Sequence, residues 1–261
     1  MSFALIALAL AGCSSHHAES MDAGVPDLAA PLDLSAGNPA ADLAHADDAA
    51  RDDAFIVDLL AVDQTPPPDL ACTPIAFQGG VDPTTQGWTT TLQQPATLSS
   101  PSAGITQLQT MTASGGQSGG QLLISRAVGI TTGKAFTVEF VIKVIAVAPH
   151  NQLDSAAALM GSFTPSVGNQ TDRSEMIYID SDKIGWADDS ASAAVSSLDG
   201  NFHTYRLAVD SAGNAMVSRD GAQLLTRSGY TTNGTIAFGD QTNDANVDST
   251  LQVQSVTLLC Q

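Results

Sequence analysis

Residues 135–144 read Ala-Phe-Thr-Val-Glu-Phe-Val-Ile-Lys-Val, with Phe136, Val138, Phe140, Ile142 and Val144 on alternate positions and Thr137, Glu139 and Lys143 between them. Successive side chains of an extended strand point to opposite faces, so this spacing buries one face of a β-strand and wets the other. A helix would scatter the same residues around its axis. Strand-like runs return at 121–126, 157–163, 175–180, 183–187, 202–210, 214–219, 222–227, 235–238 and 250–259, with turn residues every eight to twelve positions and no helical stretch between. Asp220-Gly221 separates two of these runs, and a two-residue type I′ turn needs positive φ at both central positions. Ser211-Ala212-Gly213-Asn214 serves the preceding connection. Nine or ten antiparallel strands predict an all-β fold, a two-layer antiparallel β-sandwich, over residues 72–261.

The chain before residue 72 follows a different rule. Residues 14–72 hold 12 acids, one base (Arg51) and one aromatic (Phe55), in near-repeats such as Pro26-Asp27-Leu28-Ala29 and Pro68-Asp69-Leu70-Ala71. So little apolar surface cannot offset the entropy of ordering, and like charges push the segment open, so 13–71 reads as a disordered acidic tether. Between 41 and 62, Phe55, Leu59 and Val62 share a helical stripe, which fits a transient helix and a slightly apolar coil equally. His16, His17 and His45 lie among these carboxylates and read as solvated, because a metal site needs an ordered frame. The segment 14–72 carries −11 of the formal charge of −18, leaving −7 on 73–261. A polyanion repels phosphate, which excludes nucleic-acid binding through a basic footprint and polybasic docking on anionic lipid. No segment reaches the roughly 18 consecutive apolar residues that a spanning helix needs.

At the amino terminus an apolar run, 3–11, ends in small residues and Cys13. Leu10-Ala11-Gly12-Cys13 resembles the lipobox of bacterial lipoproteins, which implies that 1–12 is a signal peptide and that Cys13 carries the lipid. Each buried acyl methylene contributes about 0.8 kcal/mol, so two or three chains on one residue hold a soluble domain at a membrane. Met1-Ser2-Phe3 lacks the Lys or Arg that normally opens such a signal; a start upstream of Met1 and an atypical signal each account for it. The implied localisation is extracytoplasmic, anchored to a bacterial outer membrane. With Cys13 lipidated in an oxidising compartment, Cys72 and Cys260 remain as an even pair at the two limits of the sandwich, which reads as a disulfide clasp.

Residues 202–210, Phe-His-Thr-Tyr-Arg-Leu-Ala-Val-Asp, are followed by a Gly-Asn turn, a strand, Asp220-Gly221, then Thr235-Ile236-Ala237-Phe238-Gly239-Asp240 and a last apolar strand. This order resembles the second half of a concanavalin A-like, or laminin G-like, jelly roll. The resemblance covers about residues 130–260 and implies a terminal strand lying beside the first, which would bring Cys72 and Cys260 together. It carries fold more firmly than activity.

That superfamily includes glucan hydrolases, lectins and adhesion modules. Retaining hydrolysis needs two carboxyls about 5–5.5 Å apart, which the laminarinase type supplies from Glu-x-Asp-x-x-Glu on one strand, a motif that does not occur here. Glu175 and Asp180 fall on opposite faces of their strand, and Asp180-Ser181-Asp182 reads as a turn. His150 and His203 sit in no nucleophile motif, and His203 alternates with Tyr205, Leu207 and Val209 as a core-edge histidine. No catalytic residue is assigned, and the chain reads as a non-enzyme.

For binding, Trp186 and Tyr178 on neighbouring strands, with Asp188, suit a sugar face of aromatic rings and polar groups, against the plainer reading of aromatic core packing. Trp88 and Tyr230 are less constrained. The loop 239–248 is dense in hard oxygen ligands, and Asp240, Asn243, Asp244, Asn246 and Asp248 are candidate ligands for Ca2+, although turn formation also explains such a composition. The expected function is a lectin-like sandwich, displayed by a lipoprotein, that binds glycan or a surface partner without catalysis. A carbohydrate-active enzyme with an unrecognised site and a purely structural envelope protein are the alternatives.

Overall fold

A computed structural model describes residues 74–164 and 173–259. Cys13, Cys72, Cys260, the signal segment, the acidic tether and its candidate helix lie outside the described residues.

Fifteen strands are present among the described residues: β1 (Ile75–Gln78), β2 (Thr89–Gln93), β3 (Ala96–Ser102), β4 (Ile105–Thr110), β5 (Gln121–Ala127), β6 (Phe136–Val147), β7 (Ala158–Met160), β8 (Met176–Ile179), β9 (Lys183–Trp186), β10 (Ser192–Ala194), β11 (His203–Val209), β12 (Ala215–Arg219), β13 (Ala222–Arg227), β14 (Thr235–Asp240) and β15 (Ser249–Leu259). The only helical elements described are two short 3-10 turns, Pro83–Gln86 and Arg173–Glu175. The expected nine or ten strands are too few. The five not anticipated are β1 to β4 and β10: TTTLQ, ATLSSPS and ITQLQT offer few apolar residues to the alternation, and IAFQ and SAA are too short to show one. Hydrogen bonding to neighbouring strands fixes them instead.

The strands form two antiparallel sheets. One runs β13-β12-β11-β6-β15-β4-β3, with β1 also on β15; the other runs β10-β9-β8-β7-β14-β5-β2. Strand β15 pairs with β6 along its length, while its other edge is shared by β4 over Thr250 to Val253 and by β1 over Ser255 to Leu258. The last strand therefore lies beside the first, as the jelly-roll resemblance implied. The hairpin β12–β13 turns at Asp220 (φ 51°) and Gly221 (φ 84°), both in the positive region a type I′ turn requires.

Between the sheets the apolar faces interlock. Phe136, Val138, Phe140, Ile142 and Val144 all point inward from β6. Phe77, Trp88 and Phe238 meet edge to face, with centroids 5.2 to 5.7 Å apart, joining β1 of the first sheet to β14 of the second. Such pairs add about 0.5–1.5 kcal/mol each beyond the area they bury. A second, smaller cluster lies on the outer side of the seven-stranded sheet: Leu123, Ala158, Met160, Phe163, Met176 and Tyr178, with Ala187 and Ala237. These residues alternate with the core set along the same strands, so this sheet is apolar on both faces.

Candidate functional site

Antiparallel order brings four chain segments to one end of the seven-stranded sheet: the end of β2, the start of β5, the loop before β7 and the loop after β14. Gln93 and Gln121 are register partners there, and Asp240, the last residue of β14, sits opposite Leu122. Between them lies a cleft of about 290 Å³ lined by Gln93, Gln121, Leu153, Asp154 and the run Gln241 to Asp244.

Backbone and threonine hydroxyls hold the cleft in shape. Thr242 Oγ1 donates to Asp154 Oδ1 at 2.7 Å and accepts from the Asp244 amide at 3.1 Å. Gln121 Nε2 donates to the Gln241 carbonyl at 2.6 Å, and Asn243 Nδ2 to Gln93 Oε1 at 3.3 Å. Asp154 is buried, and its carboxyl is close enough to Asp244 to raise the pKa of that residue, first by hydrogen bonding and then by charge. Gln241 is only 8 % exposed, yet its side-chain amide has no hydrogen-bond partner among the described residues; only its backbone is engaged. The residue borders an open cavity, from which water or a ligand can meet the amide.

Asp240 lies behind this wall, fully buried. It accepts from Thr110 Oγ1 at 2.5 Å and from the Thr242 amide at 3.1 Å, and Thr110 in turn takes the Ser249 amide at 2.9 Å, so the carboxyl ties the two sheets together. Burial pushes its pKa up to about 8; the Thr110 and Thr242 hydrogen bonds oppose this, and the charges of Asp248 and Asp154 add to it.

The loop before β7 is clamped by His150. Its imidazole stacks on the ring of Tyr178, with centroids 4.0 Å apart and an interplanar angle of 9°. Its Nδ1 meets Ser155 Oγ at 2.9 Å, and its backbone amide donates to Asp180 Oδ1 at 2.7 Å. Its Nε2 is buried without a hydrogen-bond partner, 3.5 Å from Asp189 Oδ1. Burial is the main cause of a lowered His150 pKa, with Asp189 the leading opposing charge. The ring of Tyr178 lies over Gly185, where a Cβ would come within 2.6 Å of it.

The candidates named from sequence separate. Trp186 and Tyr178 do not share a face: in the β8–β9 register Trp186 is opposite Ile177 and Tyr178 opposite Gly185, so Trp186 enters the core at 0 % exposure and Tyr178 lies on the outer side at 2 %. The aromatic sugar platform is therefore not formed. Asp188 is committed to Arg227, whose Nη2 lies 2.6 Å from its Oδ2, and that guanidinium stacks over Trp186 at 4.7 Å. Trp88 and Tyr230 are buried in the core. His203 is held by Asp220 at 2.6 Å and Asp199 at 2.9 Å. Glu175 precedes β8 in a 3-10 turn and accepts from Thr231, and Asp180 ends the strand under the His150 amide.

Of the five proposed calcium ligands only Asn243 and Asp244 line the cleft. Asp240 faces the sheet junction, Asp248 takes the Thr112 hydroxyl at 2.7 Å, and Asn246 adopts φ 68° in the turn. Among the described residues no group of three or more His, Cys, Asp or Glu is arranged to hold a metal. Sequence reasoning reached this loop but missed Gln93, Gln121, Leu153, Asp154, Gln241 and His150. The available signal was the loop's density of amides and carboxyls; its partners across the cleft lie more than 80 residues away in the chain.

No protein-family model matches the chain, and no curated protein matches it by sequence. Solved structures do share its fold. An endo-β-1,4-glucuronan lyase from the fungus Trichoderma reesei is 14 % identical, with 71 % of this chain and 94 % of that one covered and a TM-score of 0.50. A carbohydrate esterase of Shiga toxin-encoding bacteriophage phi24B is 14 % identical over 69 % and 93 %, with a TM-score of 0.47. The Emp46p carbohydrate-recognition domain is 13 % identical over 68 % and 91 %, with a TM-score of 0.45. The common architecture is the concanavalin A-like sandwich. The expectation of a non-enzyme is corrected at this point. A lyase is built on the same fold, and the missing hydrolase motif speaks only to one reaction type.

Proposed function

We propose that this domain engages a glycan in the cleft at the end of the seven-stranded sheet. The observation that carries the reading is Gln241, a largely buried residue lining the cavity whose side-chain amide is left without a partner among the described residues. A sugar hydroxyl both donates and accepts, which is what a free carboxamide requires. Gln93, Gln121, Asn243 and Asp154 add further hydroxyl-binding groups, and Leu153, 62 % exposed at the rim, offers an apolar surface to a pyranose face. The glucuronan lyase built on the same fold supports the reading.

Glycan-array binding, run alongside a turnover assay on the same polysaccharides, tests it. Gln241→Ala is expected to weaken binding about tenfold, or turnover where it occurs, with an unchanged melting temperature. No glycan retained, or an unaffected Gln241→Ala protein, would overturn the proposal. The same reading has the lipid on Cys13 and the acidic segment holding the domain outside a bacterial membrane. Palmitate labelling that persists in Cys13→Ser would sink that part.

A further inference from the structure

We infer that the cleft selects glycans without acidic groups and favours those bearing a free amine, so that uronate, sulfated and sialylated chains are refused. This deepens the glycan reading above and rests on it. Charge at the cleft has one sign. Residues 73–261 contain eight bases, and none of them lines the cleft. The bases are engaged elsewhere: Arg126 on the Gln86 carbonyl, Lys183 with Asp180, Arg219 with Asp199 and Arg227 with Asp188. Arg173 approaches the Leu153 loop, but its guanidinium binds the Gln152 carbonyl at 3.3 Å.

Inside the cleft two carboxyls, Asp154 and Asp244, line the same wall, and the hydrogen bond to Asp154, then its charge, raises the Asp244 pKa. An anionic sugar would bring further negative charge to these carboxyls with no cation lining the cleft to meet it. An ammonium has three donors and a positive charge, so it relieves the repulsion while bonding both carboxyls. The unpartnered Gln241 amide, on the same wall, then takes a neighbouring hydroxyl whatever the sugar's charge. Charge therefore selects among glycans, and the amides bind them.

The full chain is titrated at low salt with hexamers of chitosan, chitin and cellulose and with oligoglucuronate. Chitosan hexamer is expected to bind about tenfold tighter than the chitin or cellulose hexamer, with the gap closing at molar salt and with no oligoglucuronate binding. Asp154→Asn with Asp244→Asn should level the series. If that protein fails to fold, Asp244→Asn alone carries the test, because its side chain is exposed. Oligoglucuronate binding at or above the neutral hexamers overturns the selection while leaving the glycan reading intact. Failure of all four ligands and of a wider array overturns the glycan reading and the selection with it.

Discussion

The imidazole of His150 lies flat on the phenol ring of Tyr178, and the loop that follows delivers Leu153 and Asp154 to the cleft. Stacking and the two hydrogen bonds to Ser155 and Asp180 thus position cleft residues from a distance. His150→Ala should lower stability by about 1–3 kcal/mol and raise amide hydrogen exchange over residues 150–155. An exchange profile unchanged in that window would show that the loop is held by something else. Gly185→Ala attacks the same stack from below, since its Cβ meets the Tyr178 ring at 2.6 Å, and should cost about 1–3 kcal/mol in a denaturant titration.

Protonation of His150 gives a pH signature. Its folded pKa lies below the ordinary value of 6.5, so in the window under 6.5 the unfolded chain binds more protons than the native one, and stability falls as pH drops. The contribution is complete above 6.5 and is lost as pH passes down through the folded pKa. His150→Gln should remove it. The readout is the difference in melting temperature between wild type and variant from pH 7.5 to 5, which should shrink on acidification; a constant difference would refute the assignment.

Asp240 works with the opposite sign. Its folded pKa is about 8 against an ordinary 3.8, so the native state holds the extra proton between these values and stability falls as pH rises through them. The term is fully present below about 4 and is lost above about 8, with a span on the order of several kcal/mol. Asp240→Asn keeps a neutral acceptor for Thr110 and should flatten the alkaline side of the stability profile. Equal slopes in the two proteins between pH 6 and 9 would contradict a protonated Asp240.

Much of the fold was legible because it rests on local alternation. The β6 pattern, the Asp220-Gly221 turn and the paired outer strands follow from the period of the chain and from which residues accept positive φ. The Thr- and Gln-rich strands β2 to β4 carry little alternation, since their neighbours supply the order. The site was harder, because a cleft is a relation between segments. Asp154 meets Thr242, and Gln121 meets Gln241, only after the jelly roll has folded. Trp186 stayed open between core and sugar face for a related reason: alternation says that Trp186 and Ile184 share a face, but not which face is inside, and the cation beside it comes from β13.

That placement changes what a Trp186 variant should do. The ring is fully buried, donates from Nε1 to the Thr226 carbonyl at 3.4 Å and lies under Arg227, so it joins β9 of one sheet to β13 of the other. Trp186→Ala should cost about 3–5 kcal/mol and leave the glycan affinity of the folded fraction unchanged. Lost affinity at full folding would restore a sugar-contacting role.

The antiparallel pairing of β1 with β15 sets Ile75 opposite Leu258, and in sequence Cys72 stands three residues before one and Cys260 two residues after the other. A disulfide spans about 4.4–6.8 Å between Cα atoms, and the pairing of Cys72 with Cys260 is proposed from their positions in the sequence. A non-reducing peptide map of the protein, prepared under oxidising conditions, should return a single Cys72–Cys260 cross-link. Closing a loop of this length constrains the unfolded chain by about 5 kcal/mol in the chain-entropy model, so reduction, or Cys72→Ser with Cys260→Ser, should lower the melting temperature by roughly 10 °C or more. Two free thiols in the native protein, or a melting temperature indifferent to reductant, would leave the clasp without support and put the whole cost of holding β1 on its contacts with β15 and on the Phe77–Trp88 edge.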